Sequence, residues 1–413
     1  MQEFPKNFFW GASTASHQIE GGTLNDWSEW EKENAVRLAG EAELKFGYLE
    51  SWPQIKGEAM NPSNYISGRA CDFYNRFEED LELAKSLNHN AFRFSIEWSR
   101  IEPERGKFDE KEIARYKRIV DSLRKKGMEP FVTLWHWTIP LWVRDQGGWE
   151  SKKTADDFGE FSQKMAESFG GKVRFWITLN EPEIYSNASY LKGCWPPQKK
   201  NIFAYLKVFN NLAKAHKNVY DLIKKNDPQA QIGIAKHNIY FEAYQNKFGN
   251  RLMKKAADWW WNFRFLDKIK NKLDFIGLNY YFYSLIDEGF GKNRNQAVSD
   301  MGWELRPEGI RHALKELKNY NKPIIITENG LADRDDKHRS WFILETLKNI
   351  QKAIAQGVDV RGYLHWSLLD NFEWDKGFWP RFGLVEVDYK TMERKIRPSA
   401  RLYARICKEN KII

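Results

Sequence analysis

Residues 323–330 read PIIITENG: a proline, a short run of isoleucine and threonine, then Glu328, Asn329 and Gly330. Such a run is the pattern of a short buried strand that ends in a turn. A buried strand does not end on a bare carboxylate by default, but a parallel barrel presents its catalytic groups at the C-terminal tips of its strands. Residues 173–182, VRFWITLNEP, have the same form and end on Glu181. The two glutamates lie far apart in the chain, so only tertiary structure can bring them together.

Working outward from these two segments, strand patterns recur at 8–16, 91–98, 129–137, 231–239, 273–281 and 360–370. Between them, apolar residues fall at helical spacing at 76–88, 109–126, 153–169, 202–225, 251–272, 307–320 and 340–356, with a last helix near 397–409. About eight alternations of strand and helix is the count for a closed (β/α)8 TIM barrel, an α/β fold with its active site at the C-terminal ends of the strands. The expected organisation is one catalytic domain over 1–413, with an irregular excursion across one face at about 31–68, where Pro53, Pro62 and several glycines interrupt the pattern. A doubly wound sheet is the alternative, and the absence of a Gly-rich phosphate loop after any strand weighs against it.

Polar and aromatic residues gather at the predicted strand tips: Gln18, Arg93, His136 with Trp137, Asn180 with Glu181, Asn279 to Tyr281, Glu328 and Trp366. In a barrel these tips form one rim, and a packed core needs none of that polarity. Two carboxylates facing one another across a pocket, among hydroxyl-binding groups and tryptophans, suit the cleavage of a glycosidic bond. If Glu328 attacks the anomeric carbon and Glu181 protonates the leaving oxygen, the pair should sit roughly 5 Å apart and the product should keep its configuration. Arg93 would hold Glu328 ionised, and one of Tyr280 and Tyr281 would donate a hydrogen bond to it.

Composition narrows the alternatives. Nineteen tryptophans and seventeen tyrosines supply flat faces that suit sugar rings as well as a core. The net charge of +9 is spread along helices interleaved with acids, which reads as a solvated basic surface and not a nucleic-acid site. Cys71, Cys194 and Cys407 are odd in number and widely spaced, which excludes a disulfide framework and favours a reducing, cytoplasmic setting. No leading basic and apolar segment reads as a secretion signal, and no run of ~18 apolar residues reads as a membrane span. His216, His237, His312 and His365 have no metal-ligand spacing, so neither metal nor cofactor is expected. Trp259, Trp260 and Trp261 lie inside a helical stretch and read as packing against the barrel. An oligomer is compatible with the sequence, which carries no signal for one.

These residues together resemble glycoside hydrolase family 1, the retaining β-glucosidase and β-galactosidase family. The resemblance runs from FFWGASTASHQIEGG near the N-terminus to WSLLDNFEW, RFGLVEVDY and RPSARLY, and its most specific motifs are TLNEP and ITENG. It implies that Glu181 is the acid/base and Glu328 the nucleophile. It likewise implies that Arg93, Asn279 and Tyr281 support the nucleophile. Gln18, His136, Trp137, Asn180, Trp366, Glu373, Trp374 and Phe382 would form the substrate site, with Trp366 as its floor. The implied substrates are terminal, non-phosphorylated β-glycosides and short oligosaccharides; a sugar 6-phosphate would face an ionised Glu373, a repulsion of several kcal/mol at an effective dielectric of ~20. A transglycosylase on the same fold, or a barrel that binds sugars without cleaving them, are the other readings, the last opposed by the presence of both acids. Two departures stand out: Thr138 occupies the position of the usual Asp after His-Trp, and the chain is short, so a loop over the entrance is expected to be trimmed.

Overall fold

The structure is a computed structural model that describes residues 3–413. Eight parallel strands close into a barrel in sequence order: β1 (Phe9–Ser13), β2 (Ala91–Ser95), β3 (Glu129–Trp135), β4 (Phe175–Asn180), β5 (Gln231–Ala243), β6 (Ile276–Ile286), β7 (Ile324–Asn329) and β8 (Val360–Trp366). Closure comes from five consecutive pairs between β1 and β8, from Phe9↔Gly362 to Ser13↔Trp366. Each strand was expected within a few residues of its place. β5 and β6 run further than their hydrophobic patterns suggested, because they go on pairing with each other to Ala243↔Ile286, beyond the rim.

The inside of the barrel changes chemistry along its axis. At the N-terminal end it is filled by carbon: Phe131 stacks on Phe175 with ring centroids 4.5 Å apart, Phe9 meets both edge-on, and Ala91, Ile177, Ala235, Ile325 and Leu364 complete the layer. Toward the C-terminal end the inward positions become Arg93, Thr133, Asn180, Asn279 and Glu328, all buried. Register slips interrupt the ladder between Ile177 and Asn180, Leu278 and Asn279, and Ile326 and Asn329. Such irregularities bend a strand and re-aim its side chains. Here they fall at the residues that bring Glu181, Asn279 and Glu328 to the rim.

Residues 31–68 are not irregular. They lie in helices Asp26–Gly40, Ala42–Phe46 and Trp52–Ala59 and a 3-10 turn Pro62–Tyr65. The prolines read as breakers are helix starts: both fall in the first turn, where an N–H has no partner to lose. The first of these helices is opened by Asn25, whose side chain accepts from the Ser28 N–H while Ser28 Oγ accepts from the Asn25 N–H. The segment braces the far rim: Asn64 donates to Lys376 O and accepts from the Phe378 N–H, and Glu58 pairs with Arg334 and Arg381. The helix expected at 251–272 is also divided, into Phe248–Ala257, a π-helical turn Asp258–Phe263, Arg264–Ile269 and a 3-10 turn.

The C-terminal helix Pro398–Glu409 seals the seam where the barrel closes. Tyr403, fully buried, donates to the carbonyls of Gly11 in β1 and Tyr363 in β8, each at 3.0 Å, and accepts from the Gly11 N–H at 3.2 Å. Removing that hydroxyl would take a buried partner from both closing strands. Tyr403→Phe is therefore expected to lower stability by about 1–3 kcal/mol, measured as a shift in the urea unfolding midpoint at unchanged slope; an unshifted midpoint would show that the seam does not depend on this bond.

Candidate active site

The pocket is assembled around Arg93 on β2, which has no exposed surface. Its guanidinium donates to Thr133 Oγ1 on β3 at 3.0 Å, to Asn180 Oδ1 on β4 at 2.7 Å, to the Thr327 carbonyl on β7 at 3.3 Å and to Glu328 Oε1. Tyr281 Oη donates to the other Glu328 oxygen at 2.9 Å, whereas Tyr280 turns outward to the Arg306 carbonyl. Glu328 thus holds one full positive charge and a phenol. Glu181, at the tip of β4, accepts from Asn279 Nδ2 at 2.7 Å and has no cation bonded to it.

That difference separates the two acids. Burial raises Glu181 well above the usual carboxylate range, and the negative charge of Glu328 raises it further. Burial also raises Glu328, but Arg93, Tyr281 and Asn279 work against it. Of the two, Glu181 keeps the proton and Glu328 carries the charge. Asn279, expected beside the nucleophile, makes its closest bond to Glu181 and holds Thr327 Oγ1 through its carbonyl, so it lies between the two acids.

The surrounding groups have defined proton positions. Asn180 Oδ1 accepts from Arg93 and Asn279, so its Nδ2 must be the donor to His136 Nε2 at 3.1 Å. Burial and the charge of Arg93 keep His136 neutral, so its proton sits on Nδ1, which has no partner among the described residues. Gln18 donates to Asn371 Oδ1 and the Phe372 carbonyl, and its Oε1 is likewise unpaired. Glu373 is pushed up to about 8 by burial, against the pull of Lys376, which favours the protonated form that can donate as well as accept. The expectation of an ionised Glu373 is corrected accordingly.

The loop after β8 is fixed from below: Arg397 makes a bidentate pair with buried Asp370, both bonds 2.9 Å, and Asp370 also accepts from the Gly383 N–H. Trp374 lies between His17 and His136, parallel to both within 15°. Burial alone would lower His17, but the carboxylate of Glu31, 2.6 Å away, raises it on balance. Trp137, Glu181 and Trp374 all adopt positive φ, between 43° and 78°. Such backbone costs about 1–3 kcal/mol per residue and persists where packing holds it. Thr138 donates to Glu97, which also accepts from Asn25, Ser99 and Ser16, so the carboxylate missing after His-Trp is supplied from the segment after β2.

Of the residues singled out from sequence, Gln18, His136, Trp137, Glu181, Tyr281, Glu328, Trp366, Glu373, Trp374 and Phe382 line one cavity of about 280 Å³, and Arg93, Asn180 and Asn279 stand behind it. The sequence reading missed Trp195, His237, Trp261, Phe282, Trp303 and Lys376, which also line it. The tryptophan triplet does not pack against the barrel as expected. Trp259 and Trp260 are exposed at 53% and 37%, while Trp261 faces the cavity. Among the described residues no helix is long and apolar enough to cross a membrane, and no three His, Cys, Asp or Glu gather as a metal site.

A closed (β/α)8 barrel that brings two buried glutamates of unequal proton affinity into one aromatic pocket at its C-terminal rim is the architecture of a glycosidase. Comparison with known proteins agrees. The model of glycosyl hydrolase family 1 matches residues 1–267 and 237–412. Beta-glucosidase A of Thermotoga maritima is 35% identical over 459 aligned positions that cover 99% of both chains. Those 459 positions exceed the 413 residues here, so stretches of that protein have no counterpart in this one. Among solved structures, a beta-glycosidase from Pyrococcus horikoshii matches with a TM-score of 0.87 and 37% identity, covering 100% of this chain and 96% of that one. The beta-glucosidase of Thermotoga maritima in complex with glucoimidazole matches with a TM-score of 0.89 and 33% identity over the full length of both. The chain belongs to glycosyl hydrolase family 1.

The protonation of Glu373 has a consequence for stability. Its folded pKa of about 8 lies above the ordinary value of 4.5, so whatever the group contributes is fully present below pH 4.5 and declines as pH rises toward 8. Glu373→Gln, which cannot ionise, should gain stability relative to the parent across that window by a few kcal/mol, read from paired unfolding curves at pH 5 and pH 9; a difference independent of pH would refute the buried, protonated state.

Proposed function

We propose that the chain works as a single catalytic domain, a retaining β-glycosidase that hydrolyses terminal, non-phosphorylated β-D-glucosides and β-D-galactosides by double displacement. The observation that carries this reading is the unequal treatment of the two glutamates. Glu328, held ionised by Arg93 and Tyr281, attacks the anomeric carbon. Glu181, protonated for want of a cation, gives its proton to the departing oxygen. Once Glu328 has become an ester its negative charge is gone and the proton affinity of Glu181 falls, so Glu181 serves as the base that draws a proton from water in the second step. No cofactor enters either step.

The glycone side is read from groups whose hydrogen bonds are unspent. Gln18 offers an acceptor, His136 a donor and protonated Glu373 both, which matches hydroxyls that donate and accept at once. Trp366 supplies the floor. Because Glu373 can turn its proton either way, an axial and an equatorial hydroxyl at C4 are both accommodated. A 6-phosphate dianion would have to shed its water beside a buried acid, while the ammonium of Lys376, which lines the cavity, is already bonded to Asp375. Phosphorylated sugars are therefore excluded as substrates. Relatives named beta-glucosidase, matched end to end, support the substrate class. Three unpaired cysteines suit a cytoplasmic enzyme.

Proton NMR of a fresh reaction should show the β-anomer as the first product, and an α-anomer would overturn the assignment of Glu328. Glu328→Gln should lose nearly all activity. Glu181→Gln should keep its first step with 2,4-dinitrophenyl β-glucoside, whose leaving group needs no proton, and should recover turnover with azide; equal loss in both variants on that substrate would refute the division of labour. The pH dependence of kcat/KM should be a bell whose acid limb lies above the ordinary Glu value of about 4.3, since burial raises both acids.

A further inference from the structure

Behind Glu181, outside the cavity, lies a buried ion pair that neither catalytic step uses. Glu183 follows Glu181 by two residues, in the short helix Pro182–Ser186, and Lys236 follows Ala235 on β5, whose carbonyl takes the Glu181 N–H at 2.8 Å. Both are buried, Lys236 completely, and neither lines the cavity. Lys236 Nζ donates to Glu183 Oε1 at 2.8 Å, to the Trp261 carbonyl at 3.0 Å and to the His237 carbonyl. The same Glu183 oxygen accepts from the His237 N–H at 2.7 Å, while Oε2 has no partner among the described residues.

A pair of this kind is a poor source of stability, because desolvating two charges costs about what their attraction returns, and packed carbon of the same volume serves as well. Its place gives it another use. Glu181 has φ 43° and ψ 59°, in the left-handed region, at the junction between β4 and the helix. Its own N–H ties that junction to β5 at Ala235, and Glu183 ties it again two residues on, at Lys236 and His237. The pair also sets two opposite charges beside the acid: Glu183 raises the proton affinity of Glu181, and Lys236, drawn to the Glu181 carboxylate, opposes it. The other charges acting on Glu181 are Glu328 on β7 and Arg93 on β2. Lys192, Glu373, Asp375 and Lys376 line the same cavity, where Tyr281, His136 and His237 are kept uncharged by burial.

We propose that the Glu183–Lys236 pair is the positioning element of the acid/base: it clamps the Glu181 main chain to β5 and, as a neutral unit, balances the charge behind its carboxyl group. This rests on the glycosidase reading above.

The test is the pH dependence of kcat/KM on phenyl β-glucoside, whose alkaline limb reports the loss of the Glu181 proton. Glu183→Gln keeps an oxygen for both donors and leaves an unanswered ammonium, so the limb should move down by about one pH unit; Lys236→Met leaves an unanswered carboxylate, so it should move up by about as much. The double variant Glu183→Gln/Lys236→Met removes both charges and should return the limb toward that of the wild type. A pair that served only to hold the fold would lower activity without displacing the limb in opposite senses. Limbs that stay in place, or that move the same way in both single variants, would overturn the assignment. If Lys236→Met does not fold, the nearly isosteric Glu183→Gln decides alone, with an unmoved or raised limb as the contrary result. A wild type inactive on aryl β-glucosides would sink the glycosidase reading and this inference with it, whereas an active wild type with unshifted variants sinks this inference alone.

Discussion

Everything at the rim depends on burying one guanidinium. A buried arginine is tolerable only if its charge is answered and its donors are used. Arg93 meets both demands by spanning the barrel, with Glu328 as its counter-charge and oxygens of β3, β4 and β7 for its other N–H groups. The pair therefore stabilises the ionised form of one glutamate and also fixes the Asn180 amide, through which the orientation and tautomer of His136 follow. Removing the guanidinium would leave Glu328 buried without a counter-charge and free Asn180 to turn.

Much of this was legible in the sequence because it is local. A run of β-branched residues that ends in Glu-Asn-Gly or Asn-Glu-Pro announces both a buried strand and a carboxylate at its tip. Eight alternations of strand and helix then leave little choice of architecture. The gathering of Gln18, Arg93, His136, Asn180, Tyr281 and Trp366 follows from closure, since every strand tip of a parallel barrel reaches the same rim.

The failures share a different cause: they depended on what surrounds a residue. Pro53 and Pro62 look like breakers in a string of letters, and only the position of each within a helical turn makes it a start. Glu373 looks like a charge, and only its burial makes it an acid that keeps its proton. Trp261 was indistinguishable from its two neighbours in WWW, yet it faces the cavity, while Trp260 stacks on Tyr205 and Trp259 is exposed. Thr138 looked like a loss, yet Glu97 brings a carboxylate to it from the segment after β2.

The central claim is that the charge held by Arg93 makes Glu328, and not Glu181, the group that bonds to the sugar. It is tested most directly by trapping that bond. A 2-deoxy-2-fluoro-β-glucoside with a dinitrophenolate leaving group slows both steps through its fluorine and restores the first through its leaving group, so the covalent intermediate accumulates. Mass spectrometry of the intact protein and of its peptides should find one fluoroglucosyl group, esterified to Glu328. A label on Glu181, or steady release of dinitrophenolate with no labelled protein, would contradict the account.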